Sequence, residues 1–596
     1  MQATEKNQDR LADFTTDKRV LLLSVMALGI GVISTIVAWV LLQLIALITN
    51  IAFYQRISTQ FVSPAYNTLG ILVVFVPVIG GLIIGLMARY GSEKIRGHGI
   101  PEALEAILID RSKMSPKVAV LKPVSSAISI GTGGPFGAEG PIIMTGGALG
   151  SLFAQFFRLT AAERKTLLVA GAAAGMAAVF AAPVAAVLLA VELMLFEWKP
   201  RSFIPVALAA AVAGALRVPI LGAGPIFPVP PHAPLDITGL LIAALVGILA
   251  GLASGILTSL VYLFEDLFNK LPIHWMWWPA IGGIAVGIGG FIDPRVLGVG
   301  YDVIEQLLRG EIIGAAALGL LIGKALVWSI ALGSGTSGGV LAPLLIMGGA
   351  LGAFLANWIP YGNAGLWALI AMAAIMGGTM RSPLTAIVFT LELTHDLNVL
   401  PGLLLACVAA DAVTVLLLRR SILTEKVARH GHHILREYVV DPFELLRVGE
   451  VMDQQVPTIP ATLPVTELAA RISKGDSQLA ARQGTPIVDA EGKLVGIITR
   501  SDLMHAMERE NLASLTVLDA GSRNLIVAYP DETMRQALAK MHENGIGRLP
   551  VVTRDDPRHL VGYLGRSGVM SARMKMLEDE GVREKSWGLG QVLRHP

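Results

Sequence analysis

Hydrophobic residues form long uncharged stretches over the first 440 positions of the chain, and charged residues become frequent only after them. Each stretch is long enough to cross about 30 Å of hydrocarbon as a helix, because a helix rises about 1.5 Å per residue. The predicted spans are Val20–Gln55, Ile57–Met87, Leu167–Val191, Thr238–Phe264, Leu326–Met380 and, interrupted by Asp411, Leu397–Leu418. The pattern predicts an all-α polytopic membrane domain.

Shorter apolar segments, broken by glycine and proline, lie between or within these stretches. They are Val118–Ile130, Ile142–Phe157 and Val340–Leu355, and we expect them to be too short or too interrupted for ordinary spans. Broken helices are tolerated at membrane depth only where protein or a water-filled path surrounds them. The segments therefore indicate a transport pathway.

Two of the apolar segments resemble each other. PIIMTGGALGSLFA, Pro141–Ala154, and PLLIMGGALGAFLA, Pro343–Ala356, share seven of fourteen positions, and their first residues lie 202 positions apart. Shared apolar composition does not explain such a match when a second pair follows at nearly the same spacing. The membrane domain is therefore predicted to contain two copies of one unit, approximately residues 69–216 and 276–418.

The second pair is PVAAVLLAVEL, Pro183–Leu193, and PLTAIVFTLEL, Pro383–Leu393, at a spacing of 200 positions. Each carries one acid at the same place, Glu192 or Glu392, for which we expect a structural role. Repeats with discontinuous helices in matching positions are typical of transporters whose site lies between the two halves, near the middle of the bilayer.

Charge divides the chain in two. Residues 441–596 hold 40 of the 92 charged side chains in 156 positions, about 26%, whereas the whole chain is 15% charged. The domains predicted are a leader at 1–19, a membrane domain at 20–430, a linker at 431–447 and a soluble region. A net charge of +2 offers no basic block for nucleic acid. One cysteine, Cys407 in an apolar run, excludes a disulfide framework and a thiolate metal cluster, and no metal site is predicted.

The soluble region has a duplication of its own. EVMDQQVPTIP, an amphipathic helix at Val465–Ile472 and TPIVDAEGKLVGIITRSDLM form one unit, and the chain from Leu525 to Met570 repeats the order. Each unit is predicted to fold as strand, helix, strand, strand and helix, which makes this region α+β. The predicted boundaries are 448–508 and 515–577, followed by a tail at 578–596.

Three glycine-rich turns open apolar helices: GHGIPEALEAI (Gly97–Ile107), GPFGAEGPIIM (Gly134–Met144) and GTSGGVLAPLLIM (Gly335–Met347). The first N–H groups of such helices have no partner within the helix, and the helix dipole adds partial positive charge. A small anion satisfies these donors without being held too tightly to leave. Glycine also serves close helix packing, but three turns, two of them in matched repeats, favour an anion site.

Glu139 is an ionisable side chain in the middle of such an apolar segment, which makes it a functional candidate. As a structural residue it would cap its own helix. The two roles coincide physically, because a carboxylate that occupies an anion site competes with the transported anion and leaves when it is protonated.

These residues resemble the CLC family of chloride channels and proton-coupled anion antiporters, over roughly residues 20–430, through GHGIP, GAEGP, GGVLAP and SILTEKVARHG. The resemblance implies two inverted membrane halves, a homodimer with one pore per subunit, Glu139 as the gate, and backbone amides of Val340 and Leu341 that face the anion. The implied filter residues are Gly97, His98, Gly99, Ile100, Pro101, Gly137, Ala138, Gly140, Pro141, Gly339, Val340, Leu341, Ala342, Pro343 and Leu423.

The chain departs from that family at four of its positions. His98 replaces the usual filter serine, and it either donates to the anion, titrates near neutral pH or packs away from the path. Leu423 replaces the tyrosine at the inner end, so that end is closed by an apolar side chain or left open. Ala138 replaces an arginine. Leu193 replaces the glutamate that relays protons in antiporters, and leucine carries no proton.

The soluble region resembles a pair of CBS domains, modules that often bind adenosine nucleotides. GIITRSD, Gly496–Asp502, fits the pattern whose Thr499 and Asp502 contact phosphate and ribose, whereas Gly565 and Gly568 stand at those places in the second copy. At most one nucleotide site is expected, and the alternative is a purely structural pair. No other cofactor is required.

The predicted function is transport of chloride or a similar small anion, channel-like or loosely coupled, in the plasma or inner membrane, with lipid around it. The alternatives are a chloride/proton antiporter that uses His98 or water, and a CBS-containing cation transporter. A cation transporter needs more intramembrane carboxylates than this chain offers, and no nucleophile with a nearby base suggests an enzyme. The basic residues that place both termini in the cytoplasm are Lys18, Arg19, Arg419, Arg420, Lys426 and Arg429.

Overall fold

The computed structural model describes residues 18–429, 443, 446–476, 479, 482–509 and 512–570. The predicted tail, and most of the predicted leader and linker, lie outside these residues. The described residues form two compact units, one that ends at Arg429 and one that begins at Phe443, and each is described by itself.

The first unit is helical throughout the described residues. Its helices are α1 (Arg19–Tyr54), α2 (Phe75–Tyr90), α3 (Ile100–Leu108), α4 (Pro116–Gly131), α5 (Glu139–Gln155), α6 (Ala161–Phe180), α7 (Pro183–Leu189), α8 (Pro200–Leu221), α9 (Ile237–Asn269), α10 (Trp278–Ile292), α11 (Tyr301–Leu308), α12 (Gly314–Gly333), α13 (Leu341–Leu355), α14 (Ala364–Met380), α15 (Pro383–Thr394), α16 (Leu400–Leu417) and α17 (Ile422–Arg429). A π-helix, Ala190–Leu195, continues α7. Short 3₁₀ turns lie at Pro64–Tyr66, Gly70–Val74, Glu93–Ile95, Trp275–Trp277, Pro294–Val296 and Ala356–Trp358.

Eight helical segments of the described residues are long and apolar enough to cross a membrane. They are Arg19–Tyr54, Gly70–Tyr90, Pro200–Leu221, Ile237–Asn269, Trp275–Ile292, Gly314–Gly333, Leu341–Trp358 and Leu400–Arg429. The prediction of a polytopic, mostly helical membrane domain is therefore confirmed.

Four predicted segments differ from the helices observed. The predicted span Leu326–Met380 contains the end of α12, all of α13 and α14, and the turns between them. In the predicted span Ile57–Met87 a 3₁₀ turn lies at Pro64–Tyr66, and the spanning helix begins only at Gly70. The predicted span Leu167–Val191 is broken because Ala181 adopts a left-handed conformation (φ 53°) before the proline that opens α7. Val340–Leu355, predicted to be too short, reaches spanning length because a 3₁₀ turn extends α13 to Trp358.

The two halves are related by more than the matched sequence segments. Lys122 on α4 is fully buried and donates to the carbonyl oxygens of Ile95 and Gly97 at 2.9 and 2.8 Å. Lys324 on α12, 202 positions later, is also fully buried and donates to the matching carbonyls before α11 at 2.8 and 3.1 Å. In each half a buried ammonium thus fixes the loop that opens the following short helix.

Glu192 and Glu392 bind the opposite half in a reciprocal exchange. Glu392, at the end of α15, accepts hydrogen bonds from the backbone N–H groups of Val184 and Ala185 at 3.0 and 2.8 Å, at the start of α7. Glu192 accepts from the N–H and hydroxyl of Thr385 at 2.9 and 2.5 Å, at the start of α15. Each acid therefore caps the matching helix of the other half, which confirms the expected structural role.

The second unit contains two small sheets. Its helices are α18 (Val448–Val451), α19 (Val465–Ser473), α20 (Arg500–Met507), α21 (Val517–Ala520) and α22 (Met534–Glu543), with a 3₁₀ turn at Leu512–Ser514. Its strands are β1 (Ile459–Pro460), β2 (Gly484–Val488), β3 (Leu494–Thr499), β4 (Arg548–Val552) and β5 (Leu560–Gly565). β1 pairs parallel to β2, β2 pairs antiparallel to β3, and β4 pairs antiparallel to β5.

The first copy follows the predicted order, with its amphipathic helix at α19. In the second copy the predicted opening strand is reduced to one parallel bridge between Ala528 and Val551. Pro530 follows that bridge closely, and proline cannot donate a further ladder hydrogen bond. The helices and strands are those expected of a CBS-like α+β unit.

The reciprocal caps predict a loss of stability when one acid is removed. Glu392→Ala leaves two backbone donors without their charged acceptor, and we expect the membrane domain to lose about 1–3 kcal/mol. The measurement is the unfolding transition of the purified protein in detergent. Glu311→Ala, which removes an exposed acid of the same domain, is the control and leaves the transition unchanged. Equal stability of the two variants would contradict the capping role.

Candidate functional site

Backbone bridges bring the three glycine-rich turns together. Gly137 and Gly339 exchange hydrogen bonds, with the Gly339 N–H at 2.9 Å from the Gly137 carbonyl and the reverse bond at 3.3 Å. Gly97 forms a parallel bridge with Ser337, and the Gly338 N–H donates to the Gly97 carbonyl at 3.4 Å. The starts of α3, α5 and α13 are thereby held around one point, as the resemblance predicted.

Glycine is required where the first two turns meet. Gly99 has a φ of 92°, which side chains rarely permit, and a Cβ there would lie 2.5 Å from the Gly140 carbonyl oxygen. The remaining predicted residues surround this contact in fully buried positions. Ile100 and Pro101 open α3, Ala138 and Pro141 lie at the start of α5, and Val340, Leu341, Ala342 and Pro343 lie at the start of α13.

Glu139 is fully buried at the first position of α5, and its carboxylate lies against the start of α13. Its Oε1 accepts a hydrogen bond from the Ala342 N–H at 3.1 Å. The amides of Glu139 itself and Leu341 also act on the carboxylate, whereas its Oε2 has no hydrogen-bond partner. A Cβ at Gly339 would lie 2.7 Å from Oε1, so the carboxylate occupies a niche that exists because the turn is glycine.

The Glu139 carboxylate lies at the amides that begin α13. Leu341, one of the two residues predicted to face the anion, acts on the carboxylate through its amide. Ala342, the next residue along α13, donates the hydrogen bond at 3.1 Å. The carboxylate stands where an anion would meet the unpartnered amides of α13.

In the first glycine-rich turn, Glu102 of the helix that follows accepts the hydrogen bond of a turn amide. The Oε2 of Glu102 accepts a hydrogen bond from the Gly99 N–H at 2.7 Å, and the Glu102 carboxylate forms an ion pair with Lys426 on α17. The Gly99 amide, predicted as part of the anion site, is therefore already occupied. Gly99 shapes the turn through its backbone conformation.

His98 lines a cavity of about 820 Å³. The residue is 3% exposed, and its Nδ1 has no hydrogen-bond partner among the described residues. The cavity wall includes Arg96, Glu102, Tyr262, Glu265 and Lys426. One buried polar atom of the His98 ring is therefore left without a partner in a residue of the cavity wall.

Leu423, at the position of the usual inner tyrosine, is fully buried in α17. A tyrosine is present nearby from another element, because the Tyr262 hydroxyl on α9 donates to the Ile422 carbonyl at 2.5 Å. The Arg429 guanidinium carbon lies 4.6 Å from the centre of the Tyr262 ring. Nothing in the sequence predicted Tyr262 beside Leu423, because no motif surrounds Tyr262 and its contact with Ile422 joins two distant helices.

Leu193, the missing relay position, is fully buried in the π-helix. The next acid along the chain is Glu197, which lies between Lys165, Lys199 and Arg201 at 3.5, 3.3 and 3.5 Å. Burial acts to raise the pKa of Glu197, but Lys165, Arg201 and Lys199 outweigh it and the pKa is lowered. Glu197 is therefore held ionised and does not replace a proton relay.

Thr499 and Asp502 form a capping box at the start of α20. Asp502 Oδ2 accepts from the Thr499 N–H and hydroxyl at 2.8 and 2.7 Å, and the Asp502 N–H donates to Thr499 Oγ1 at 3.2 Å. Both residues line a cleft of about 340 Å³. Gly565 and Gly568 line a second cleft of about 540 Å³, which has no such pair.

Apposed helix starts around a buried carboxylate, in a two-half membrane domain, define a CLC-type anion-transport protein. A family model described as voltage gated chloride channel matches residues 80–415, more than half of the chain. The chain belongs to this family. A CBS-domain model matches residues 448–509 and 517–575, so the α+β region is a pair of CBS domains.

Relatives and solved structures agree with this assignment. The voltage-gated ClC-type chloride channel ClcB of Salmonella typhimurium is 30% identical over 365 residues, which cover 59% of this chain and 87% of the relative. ClcB of Escherichia coli O81 is 29% identical over 389 residues, 64% of this chain and 92% of the relative.

Two solved structures share the fold. A slow cyanobacterial Cl⁻/H⁺ antiporter superposes with a TM-score of 0.63 at 23% identity, over 70% of this chain and 99% of that one. A eukaryotic CLC transporter gives a TM-score of 0.61 at 19% identity, over 92% and 98%. At these identities the likeness shows the fold alone.

Proposed function

We propose that this protein conducts chloride or a similar small anion through a pore gated by Glu139, with weak or absent coupling to protons. The filter is formed by the three glycine-rich turns and includes His98. The CBS pair regulates the pore from the cytoplasm.

One observation supports Glu139 as the gate. Glu102, Glu192 and Glu392 all cap helix starts, but Lys426 neutralises Glu102, and each of the other two acids is held by two donors of the opposite half. Backbone amides hold the Glu139 carboxylate, with the bond from Ala342 at 3.1 Å, and none of the cationic side chains that the structure describes forms an ion pair with it. Its carboxylate is therefore the one that a chloride ion can replace at low cost.

The inner side of the path favours channel-like conduction. Leu193 cannot titrate, and the three cations around Glu197 hold that carboxylate ionised. The competing function is chloride/proton exchange, the activity of the cyanobacterial antiporter that shares the fold. In this chain exchange would require His98 or a water chain as the inner proton route.

The orientation and assembly follow from charge and family. Basic residues at the start of α1 and after α16 support a plasma- or inner-membrane protein with both termini on the cytoplasmic side. The proposed assembly is a lipid-embedded homodimer with one pore per subunit, as implied by the family. ClcB relatives named as channels support chloride as the ion.

The CBS pair is proposed to bind one adenosine nucleotide per subunit in the cleft that contains Thr499 and Asp502. An aspartate carboxylate accepts both hydroxyls of a ribose, and the cleft has an open volume beside it. The second cleft has Gly565 and Gly568 at the equivalent places and offers no such acceptor from its motif.

Glu139→Ala is expected to give faster anion flux that acid no longer stimulates, because the competing carboxylate is gone. The measurement is chloride efflux from proteoliposomes between about pH 4.5 and 7.5, where protein carboxylates titrate. Glu311→Gln, an exposed acid, is the control and keeps the pH dependence of the unmodified protein. An unchanged pH dependence in Glu139→Ala would exclude Glu139 as the gate.

A chloride gradient is expected not to drive protons uphill, because no titratable group replaces Leu193. Moving a bare charge through the apolar segment would cost several kcal/mol. The reversal potential should therefore follow the anion gradient alone, and Leu193→Glu is the variant that supplies a relay. Uphill proton movement by the unmodified protein in liposomes with only a chloride gradient would establish exchange instead.

Calorimetry of the full-length protein in detergent should show one adenosine nucleotide per subunit and no binding to Asp502→Ala. Asp519→Ala is the matched control, because Thr516 and Asp519 form the same kind of capping box and do not line the cleft. Binding that survives Asp502→Ala, or two nucleotides per chain, would refute the site.

A further inference from the structure

The inner cavity beside His98 contains an arginine that immediately precedes the first filter turn. Arg96 lines this cavity together with His98, Lys94, Lys426 and Arg429. Glu93, Glu102, Glu105 and Glu265 also line it. Cations and acids are equal in number, so the cavity as a whole does not attract anions, and the position of each charge decides what an entering ion meets.

Three of the four cations are neutralised or screened. Lys426 is paired with the buried Glu102, and Arg429 binds Asp266 and Glu425 at 2.5 and 3.3 Å. The Lys94 side chain is 65% exposed and lies 2.9 Å from Asp110. Water and counterions reduce the field of such an exposed pair to little.

Arg96 differs from these three in how little of it is screened. Its side chain is 19% exposed, whereas that of its acidic partner Glu93, 3.0 Å away, is 65% exposed. Water therefore weakens the field of the acid more than that of the guanidinium. Glu265 lines the same cavity and also acts on Arg96, but of the acids that the structure describes only the exposed Glu93 lies within ion-pair distance of its guanidinium.

The Arg96 guanidinium is fixed in place from several sides. Its central carbon lies 4.5 Å from the ring centre of Trp275 and 5.6 Å from that of Trp278. Lys122 binds the carbonyls of Ile95 and Gly97 on either side of it. An immobilised arginine gives up little conformational entropy when it binds an ion.

One donor of this guanidinium has no partner. Nε is buried without a hydrogen bond, and its edge faces the third filter turn, where a Cβ on Gly335 would lie 2.9 Å from Nε and 2.8 Å from Nη2. Glycine at 335 therefore lets the guanidinium lie directly against the backbone of this turn, where a side chain would clash with it. His98 Nδ1 lines the same cavity and is also unpartnered.

We propose that Arg96 is an anion-binding residue at the inner mouth of the pore, where it concentrates small anions beside His98 before they enter the filter. The proposal rests on the proposed function, because it assigns a residue to the same path. It makes the apparent affinity for chloride depend on Arg96 from one side of the membrane.

The test is the chloride dependence of current in planar bilayers, with chloride replaced by gluconate on one side at a time. Arg96→Gln is expected to raise the half-saturating chloride concentration about tenfold on one side and to leave the other side unchanged. Lys94→Gln removes one positive charge from the same cavity and is expected to change the half-saturating chloride concentration less than twofold. Arg96→Lys keeps the charge but lacks the planar donors, and we expect a half-saturating concentration between those of the unmodified protein and Arg96→Gln.

Glu93→Gln provides a variant with the opposite expected effect and a low risk of misfolding, because Glu93 is largely exposed. Removing the acid should lower the half-saturating concentration, and it should have no effect when Arg96→Gln is already present. Equal shifts for Arg96→Gln and Lys94→Gln, shifts from both sides, or no shift would overturn the proposal. Absence of chloride current in the unmodified protein would instead reject the proposed function.

Discussion

Helix starts that lie at membrane depth need a negatively charged partner, and the membrane domain is organised around this requirement. The first N–H groups of a helix have no partner within it, and in hydrocarbon water is not available to supply one. Four buried or half-buried carboxylates meet the need at four helix starts. They are Glu102 at α3, Glu139 at α13, Glu392 at α7 and Glu192 at α15.

The four carboxylates differ in how firmly they are held. This difference distinguishes the acids that stabilise the fold from the one proposed to act in transport. A carboxylate that accepts two charge-assisted bonds gains about 1.5–3 kcal/mol from each, and breaking a buried ion pair costs about 3–5 kcal/mol. Glu192 and Glu392 are in the first situation, and Glu102 with Lys426 is in the second. Glu139 has one bond and an unpartnered oxygen, so replacing its carboxylate by another anion changes little else in the fold.

Local sequence patterns were sufficient to predict the turns, the repeat and the position of Glu139, because glycine, proline and a lone acid are unusual in an apolar segment. Contacts between distant positions could not be predicted in this way. Glu102 and Lys426 are 324 positions apart, and the Trp278 ring beside Arg96 comes from the other half. The break at Ala181 depends on a backbone conformation that alanine rarely adopts, and the local signal of a helix end there is Pro183, two residues later.

The repeat itself separates the residues that serve the fold from those proposed to serve transport. Lys122 and Lys324 occupy equivalent positions with equivalent acceptors, as do Glu192 and Glu392 with their helix starts. An interaction present in both halves stabilises a shape that both halves share.

The positions proposed to meet the anion are different in the two halves. Glu139 corresponds to Leu341, and the loops fixed by the two lysines carry Arg96 and His98 in one half but Leu297 and Val299 in the other. The first half supplies the Glu139 carboxylate, and the start of α13 in the second half supplies the backbone amide that binds it. Two identical halves could not supply both. The residues proposed to serve permeation therefore lie where the repeat loses its symmetry.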